Sequence, residues 1–220
     1  PQKRFMRIVC ISDTHGLHDR LELPDGDLLL HAGDFSNRGE IDQVQNFLTW
    51  LADQPHPHKV FIAGNHDFLA ERQPDVFRGL VPANCTYLED EGTEVAGLQI
   101  WGSPITPWFF DWAFNRRRGE EIDVHWQKIW PATDILLTHG PPYGIRDLTF
   151  QGDLAGCADL NRHVWEINPK LHVFGHIHEG YGLTEANDVF FANASNVDLG
   201  YKLVNSPLVF DWENGQLTPA

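Results

Sequence analysis

The sequence predicts an α/β protein in which two β-sheets pack face to face with helices on the outside. Three observations carry this. Short apolar, β-branched runs alternate with amphipathic helical patterns along most of the chain. There are at least nine such runs, too many for one open sheet in 220 residues. No stretch rich in Pro, Gly or Ser divides them, so residues 1–220 are expected to form one domain. Hydrophobic residues make up 42% of the chain, and eight Trp and fourteen Phe supply bulk for a core.

The expected strands are residues 7–12, 28–31, 59–62, 86–88, 98–101, 134–138, 171–174, 189–192 and 208–211. Most are continuously apolar, as strands covered on both faces are. After the second strand, residues 40–52 place Ile41, Val44, Phe47, Leu48 and Leu51 on one helical face. Residues 120–130 and 158–167 show the same periodicity. The stretch Gln54-Pro55-His56-Pro57-His58 is a short loop, and the last strands are separated only by turns.

Charge and cysteine content narrow the function. The formal charge of −15 opposes binding to a long nucleic acid. The densest basic run, Arg116-Arg117-Arg118, is too short to make a groove and reads as a solvated loop or helix start. Small anionic substrates remain compatible, because bound cations can dominate the local field. Cys10, Cys85 and Cys157 have no paired spacing, which suits a reducing compartment and predicts a cytoplasmic location. Residues 1–7 do not read as a signal peptide, and every apolar run is far shorter than a membrane span, so no membrane partner is expected.

The chemistry-bearing residues follow the strands. The first strand runs into Ser12-Asp13-Thr14-His15-Gly16, the second into Ala32-Gly33-Asp34, and the third into Ala63-Gly64-Asn65-His66-Asp67. Later strands run into Thr138-His139-Gly140 and Gly175-His176-Ile177-His178. Ligands of α/β proteins collect at the carboxyl ends of strands. Asp oxygens and His nitrogens suit borderline divalent ions such as Mn, Fe, Ni or Zn. Asp13 and His15, two apart, can aim at one ion. His176 and His178 can send one ligand to each of two, and Asp34 is the natural bridging carboxylate. Any one cluster alone also fits a helix cap or a turn. Five at five strand ends do not.

In this order the motifs Asp-x-His, Gly-Asp, Gly-Asn-His-Asp, Thr-His-Gly and Gly-His-x-His resemble the calcineurin-like metallophosphoesterase superfamily. They extend from Asp13 to His178. The resemblance implies a four-layer αββα sandwich of two mixed sheets and two divalent transition-metal ions, manganese first, with iron, nickel or zinc as alternatives. It assigns Asp13, His15, Asp34 and His178 to one ion, and Asp34, Asn65, His139 and His176 to the other. The segment from Pro169 to Gly182, with Gly156-Cys157 and Asn193-Ala194-Ser195, is similar to the metallophosphodiesterase-domain subfamily of vertebrate brain and its bacterial relatives. Some vertebrate members have Gly where this chain has His176, so a fuller second site and stronger catalysis are expected here. The subfamily acts on phosphodiesters, including cyclic nucleotides, and can bind nucleoside monophosphates.

The expected reaction is attack on phosphorus by a hydroxide bridging two ions roughly 3.5–4 Å apart. By the resemblance, Asp34 and Asn65 act as ligands within the catalytic set, while His66 stabilises the transition state or protonates the leaving alkoxide. Asp67 would orient His66 or a ligand. His18, Asn37, Arg38, Tyr143 and Arg146 neighbour the motifs and are candidates to contact a small phosphorylated substrate such as a nucleotide. The stretch from Ser103 to Trp112, with Trp108, either walls the pocket and stacks a base or is a packed surface loop. A phosphomonoesterase or nuclease using the same metals is the alternative enzyme. A binding scaffold of the same fold is disfavoured by the complete ligand set. Nothing in the sequence sets the oligomeric state.

Overall fold

The computed structural model describes residues 5–220, so the reading of residues 1–7 lies partly outside the described residues. The first half of the chain forms β1 (Phe5–Ile11), β2 (Leu28–His31), α1 (Ile41–Asp53), β3 (His58–Phe61), α2 (Phe68–Arg72), α3 (Pro74–Leu80), β4 (Thr86–Tyr87), β5 (Glu91–Val95) and β6 (Leu98–Ser103). The second half forms β7 (Thr106–Pro107), β8 (Asn115–Arg116), α4 (Glu120–Trp126), β9 (Ile135–Thr138), α5 (Ala158–Ile167), β10 (Leu171–Phe174), β11 (Gly182–Ala186), β12 (Val189–Asn193), β13 (Leu208–Glu213) and β14 (Gln216–Pro219).

Two six-stranded sheets result, ordered β14-β13-β1-β2-β3-β4 and β11-β12-β10-β9-β6-β5. Each has four parallel strands and antiparallel strands outside them, so both are mixed. Period-2 alternation explains why the central runs are apolar throughout. In β1, Ile8 and Cys10 join Leu137, Val173 and Ala192 of the second sheet in an inter-sheet core. Val9 and Ile11 face the other way, onto Val44, Phe47, Leu48 and Leu51 of α1. Trp101, Leu136 and Phe191 meet α4 and α5 in the same manner, through Ile122, Trp126, Leu160 and Val164. The layers are therefore α, β, β, α, as the sequence predicts.

The sheets are also fastened at one end. Ser12, just past β1, forms a parallel bridge with Ser195, just past β12. Asn196 N donates to Ser12 O at 2.9 Å. This joint brings strand ends from both sheets to one place.

Several elements differ from expectation. β5, β11 and β14 are half-polar edge strands without a long apolar run. The helix expected over 120–130 ends at Trp126; beyond it the amides of Lys128 and Ile129 bond three residues back, and Pro131 disfavours helical backbone before it. Ile41 is half exposed, because it opens the first turn of α1 beyond the buried stripe.

Candidate metal centre

Each candidate ligand stands just past the carboxyl end of a parallel strand. Asp13 and His15 follow β1, Asp34 follows β2, and Asn65 and His66 follow β3. From the second sheet, His139 follows β9, while His176 and His178 follow β10. The turns there are sharp. Asp13, His15, Asp34 and His176 all have left-handed backbone, at φ 52°, 42°, 56° and 68°. Non-glycine residues held there cost of order 1–3 kcal/mol each and concentrate at functional sites. Small neighbours permit close approach: a Cβ at Gly64 would overlap Asp34 Oδ1, and one at Gly175 would overlap the Asp13 carboxylate.

The side chains converge. Nitrogen and carboxylate oxygen atoms of Asp13, His15 and His178 lie within 4.8 Å of one another, as do those of Asp34, His139 and His176, and those of His15, Asp34 and His66. Asp34 belongs to the second and third groups, and His15 joins the third to the first. Asp34 Oδ1 accepts from the His66 amide at 2.8 Å, which leaves Oδ2 for the centre. Oδ2 lies 3.3 Å from His139 Nε2, 3.8 Å from His15 Nε2 and 3.9 Å from His66 Nε2. Asn65 Oδ1 is 2.9 Å from His139 Nε2. Asp13 accepts the His176 amide with both oxygens, at 3.0 and 3.1 Å, and its Oδ1 lies 3.5 Å from His178 Nε2.

Outer hydrogen bonds turn the rings. His139 Nδ1–H donates to Ala32 O at 2.8 Å, and His178 Nδ1–H donates to Asp198 O at 3.1 Å, so both present Nε2 to the centre. His66 Nδ1–H donates to Asn37 O at 2.8 Å, and its ring lies over Trp112 at 4.3 Å. Asp67 is a hub rather than a ligand. Its carboxylate accepts from the amides of Asp34, Gly64 and Ser36 and from the Ser36 hydroxyl, tying the loops after β2 and β3 together.

The donor set fits divalent cations. Both ring nitrogens of His15 are buried without a hydrogen-bond partner, an arrangement that costs free energy unless something else accepts the lone pair. Burial holds His15 down to about 4 and His176 down to about 3, so both rings are neutral and ready to ligate at pH 7. His139 behaves oppositely. Burial lowers it, but the Asp34 charge and hydrogen bond outweigh burial and carry it up to about 9. Its second proton sits beside Asn65 Oδ1 and Asp34 Oδ2, where positive charge is wanted. Asp13 and Asp34 are held well below the usual carboxylate range despite their burial, chiefly by His178 and His139 respectively.

The other predicted contacts are not gathered here. His18 bonds Asn46 through Nε2 at 2.7 Å and packs on Phe47 and Trp50 of α1. Arg146 directs its guanidinium to Thr184 Oγ1 and to the carbonyls of Tyr181 and Leu183, which anchors β11. Asn37 reaches the site through its backbone carbonyl. Arg38, Trp108 and Tyr143 are exposed and do not line the cleft over the centre. That cleft holds about 210 Å³ and is walled by Asp34, Asn65, His66, His176 and His178 with Phe109, Trp112, Leu199 and Tyr201. Phe109 and Trp112 come from the aromatic stretch flagged in the sequence. Leu199 and Tyr201 carried no signal, since they sit in a loop without a ligand motif.

Comparison with known proteins agrees with this geometry. The calcineurin-like phosphoesterase family profile matches residues 6–180. The chain is 38% identical to human metallophosphoesterase domain-containing protein 1, over 94% of this chain and 71% of that protein. It is 39% identical to a UPF0046 protein of Caenorhabditis elegans, over 94% of this chain and 80% of that one. The structure of a phosphopantetheinyl hydrolase from Mycobacterium tuberculosis superposes with a TM-score of 0.62 at 16% identity, covering 86% of this chain and 88% of that one, which is a likeness of fold. With the match running through every strand end that bears a candidate ligand, the chain belongs to the calcineurin-like phosphoesterase family, whose chemistry is phosphoester hydrolysis at a centre of two divalent metals.

Proposed function

We propose that the protein hydrolyses small phosphodiesters, cyclic nucleotides among them, with two divalent ions, manganese first. One observation carries this: a single oxygen, Asp34 Oδ2, faces ligand sets on both sides, 3.8 Å from His15 Nε2 and 3.3 Å from His139 Nε2. Asp13, His15, Asp34 and His178 would hold one ion; Asp34, Asn65, His139 and His176 would hold the other. Bound there, the ions supply Lewis acidity to phosphoryl oxygens and activate water at neutral pH.

The chain's own residues do the rest. His66 has its Nδ1–H committed to Asn37 O and its face on Trp112, so Nε2 is the end that hands a proton to the leaving alkoxide. Asp67 holds Asp34 and the β3 loop in register. The flat apolar walls Phe109, Trp112 and Tyr201 support an ester with a planar substituent such as a nucleobase. The charge of −15 supports small esters over polymers. The three cysteines are free and buried, which supports a cytoplasmic location. No helix of the described residues is long and apolar enough to cross a membrane.

A panel of mono- and diesters assayed with added Mn tests the reading. Diesters should turn over faster than monoesters. His66→Ala should lower kcat on a cyclic nucleotide by roughly 10²–10⁴ with metal content unchanged. The loss should shrink for a p-nitrophenyl ester, whose leaving group departs without a proton. Normal turnover of every ester by His66→Ala would refute the acid role, and a monoester preference would reverse the substrate class.

A further inference from the structure

Tyr201 differs from the other aromatic residues around the cleft. Its ring meets three imidazoles edge-on, with centroids 4.8 Å from His15, 5.6 Å from His178 and 6.3 Å from His66. Two of these belong to one candidate metal position, and the third is the imidazole assigned to the leaving group. These edge contacts orient a ring that is otherwise 47% exposed.

The backbone beneath it is held by hydrogen bonds. Tyr201 N donates to Asp198 O at 2.9 Å, and Asp198 N donates to Lys202 O at 3.0 Å. Asp198 Oδ1 accepts from the amides of Gly200 and Lys202 at 2.8 and 3.0 Å. The same Asp198 carbonyl takes the His178 Nδ1–H, so this loop is hooked to a ligand ring. Tyr201 also has left-handed backbone, φ 56°, an uncommon state for a bulky side chain.

The hydroxyl is free. Tyr87 donates to Glu89 and Tyr181 donates to Ser206 O. Among the described residues, the Tyr201 hydroxyl has no hydrogen-bond partner, although the ring shares a cleft with Asp34, Asn65, His66 and His176. A half-exposed ring whose O–H no protein group engages, at the mouth of the candidate metal centre, can donate to an anion bound there.

Resting on the phosphoesterase reading, we infer that Tyr201 is a substrate-contacting residue. Its phenol donates a hydrogen bond to a phosphoryl oxygen of the bound ester, and its ring closes the Asp13–His15–His178 side of the centre to bulk water. The phenol keeps its proton, which goes to His66's side of the reaction in no step. Specificity for the phosphoryl group then comes partly from a loop that carries no ligand motif.

Calorimetric titration of the Mn-loaded protein with orthophosphate tests this without turnover. Tyr201→Phe should weaken orthophosphate binding by about tenfold or more, the worth of one hydrogen bond to a charged group. It should lower kcat/KM for diesters by a similar factor while Mn stoichiometry and affinity stay as in the parent. Tyr201→Ala should in addition release Mn faster to a chelator, because the ring is gone. Parental orthophosphate affinity in Tyr201→Phe would overturn the inference, and so would loss of Mn binding in that variant. A parent protein that hydrolysed no ester would refute the phosphoesterase reading alone; orthophosphate affinity would still decide the role of Tyr201.

Discussion

The two candidate metal positions are built alike but held differently. Each has one imidazole oriented by a backbone carbonyl and one without such a bond. At the Asp34–His139–His176 position the orienting carbonyl is Ala32 O, at the fully buried end of the first sheet. At the Asp13–His15–His178 position it is Asp198 O, in a loop whose next residues, Leu199, Gly200 and Tyr201, are exposed. The loops behind them differ too. Asp67 braces the Asp34 side with four accepted hydrogen bonds. The Asp198 loop is braced by that residue's own carboxylate and by the rings around Tyr201. Similar ligands on supports of unequal stiffness should give ions of unequal exchange rate, with the Asp13 side the more labile.

The largest expected effect erases the comparison. Asp34→Ala removes the one oxygen facing both sides, so both ions should be lost and turnover should fall by at least about 10³, since the ions supply most of the charge stabilisation. Elemental analysis of the variant checks this, and retention of two tightly held ions would end the bridging assignment. Asp67→Ala should act next, on the Asp34 side. It leaves three buried amides without an acceptor, each worth about 1–3 kcal/mol. A stability loss of roughly 3 kcal/mol or more should appear in urea denaturation, together with weaker metal binding of about 10–100-fold. Asp198→Ala should be milder. It loosens a partly exposed loop, and should weaken one ion of the two by about tenfold with little change in the denaturation midpoint. Equal losses at both positions in Asp198→Ala would contradict the unequal-support picture.

Sequence and structure agree most where one residue type does one job. The eight inner strands of the two sheets were legible because strands covered on both faces are largely apolar, as in Ile135–Thr138. Of the edge strands only β4 was; Glu91–Val95 and Gln216–Pro219 were not, because they face solvent and are strands through their hairpin partners. At the centre, the seven candidate ligands were legible because Asp, Asn and His recur at strand ends beside glycine. The contacts beyond them were not. His18 and Arg146 lie next to ligand motifs in sequence, yet one is drawn to α1 and the other to β11 by hydrogen bonds no local pattern encodes. Tyr201 comes from a distant loop brought over the centre by the Ser12–Ser195 joint between the sheets. Adjacency along the chain is a poor guide where two sheets meet.

The last effect concerns protons, and it separates the supports from the ions. His31 and His172 are buried structural rings held down to about 3 by burial, and His15 and His176 are depressed with them. In the unfolded chain all four titrate near 6.5. On acidification below pH 6.5 the unfolded chain therefore takes up protons first, and the stability of chelator-treated protein should fall. His139, carried up to about 9, works on the other side. Between pH 6.5 and 9 the folded protein keeps a proton that the unfolded chain has released, so stability should also fall as pH rises through that window. The chelated protein should thus be most stable near pH 6.5. Divalent metal displaces the His139 proton, so the stabilisation given by Mn should grow from pH 6.5 to 9. Urea midpoints at pH 5, 6.5 and 9, with EDTA and with Mn, check both arms. His178, raised beside Asp13, works in the same direction, so a chelated protein that gained stability between pH 6.5 and 9 would show that neither ring holds an extra proton there, and that the centre is organised for a cation less strongly than its geometry requires.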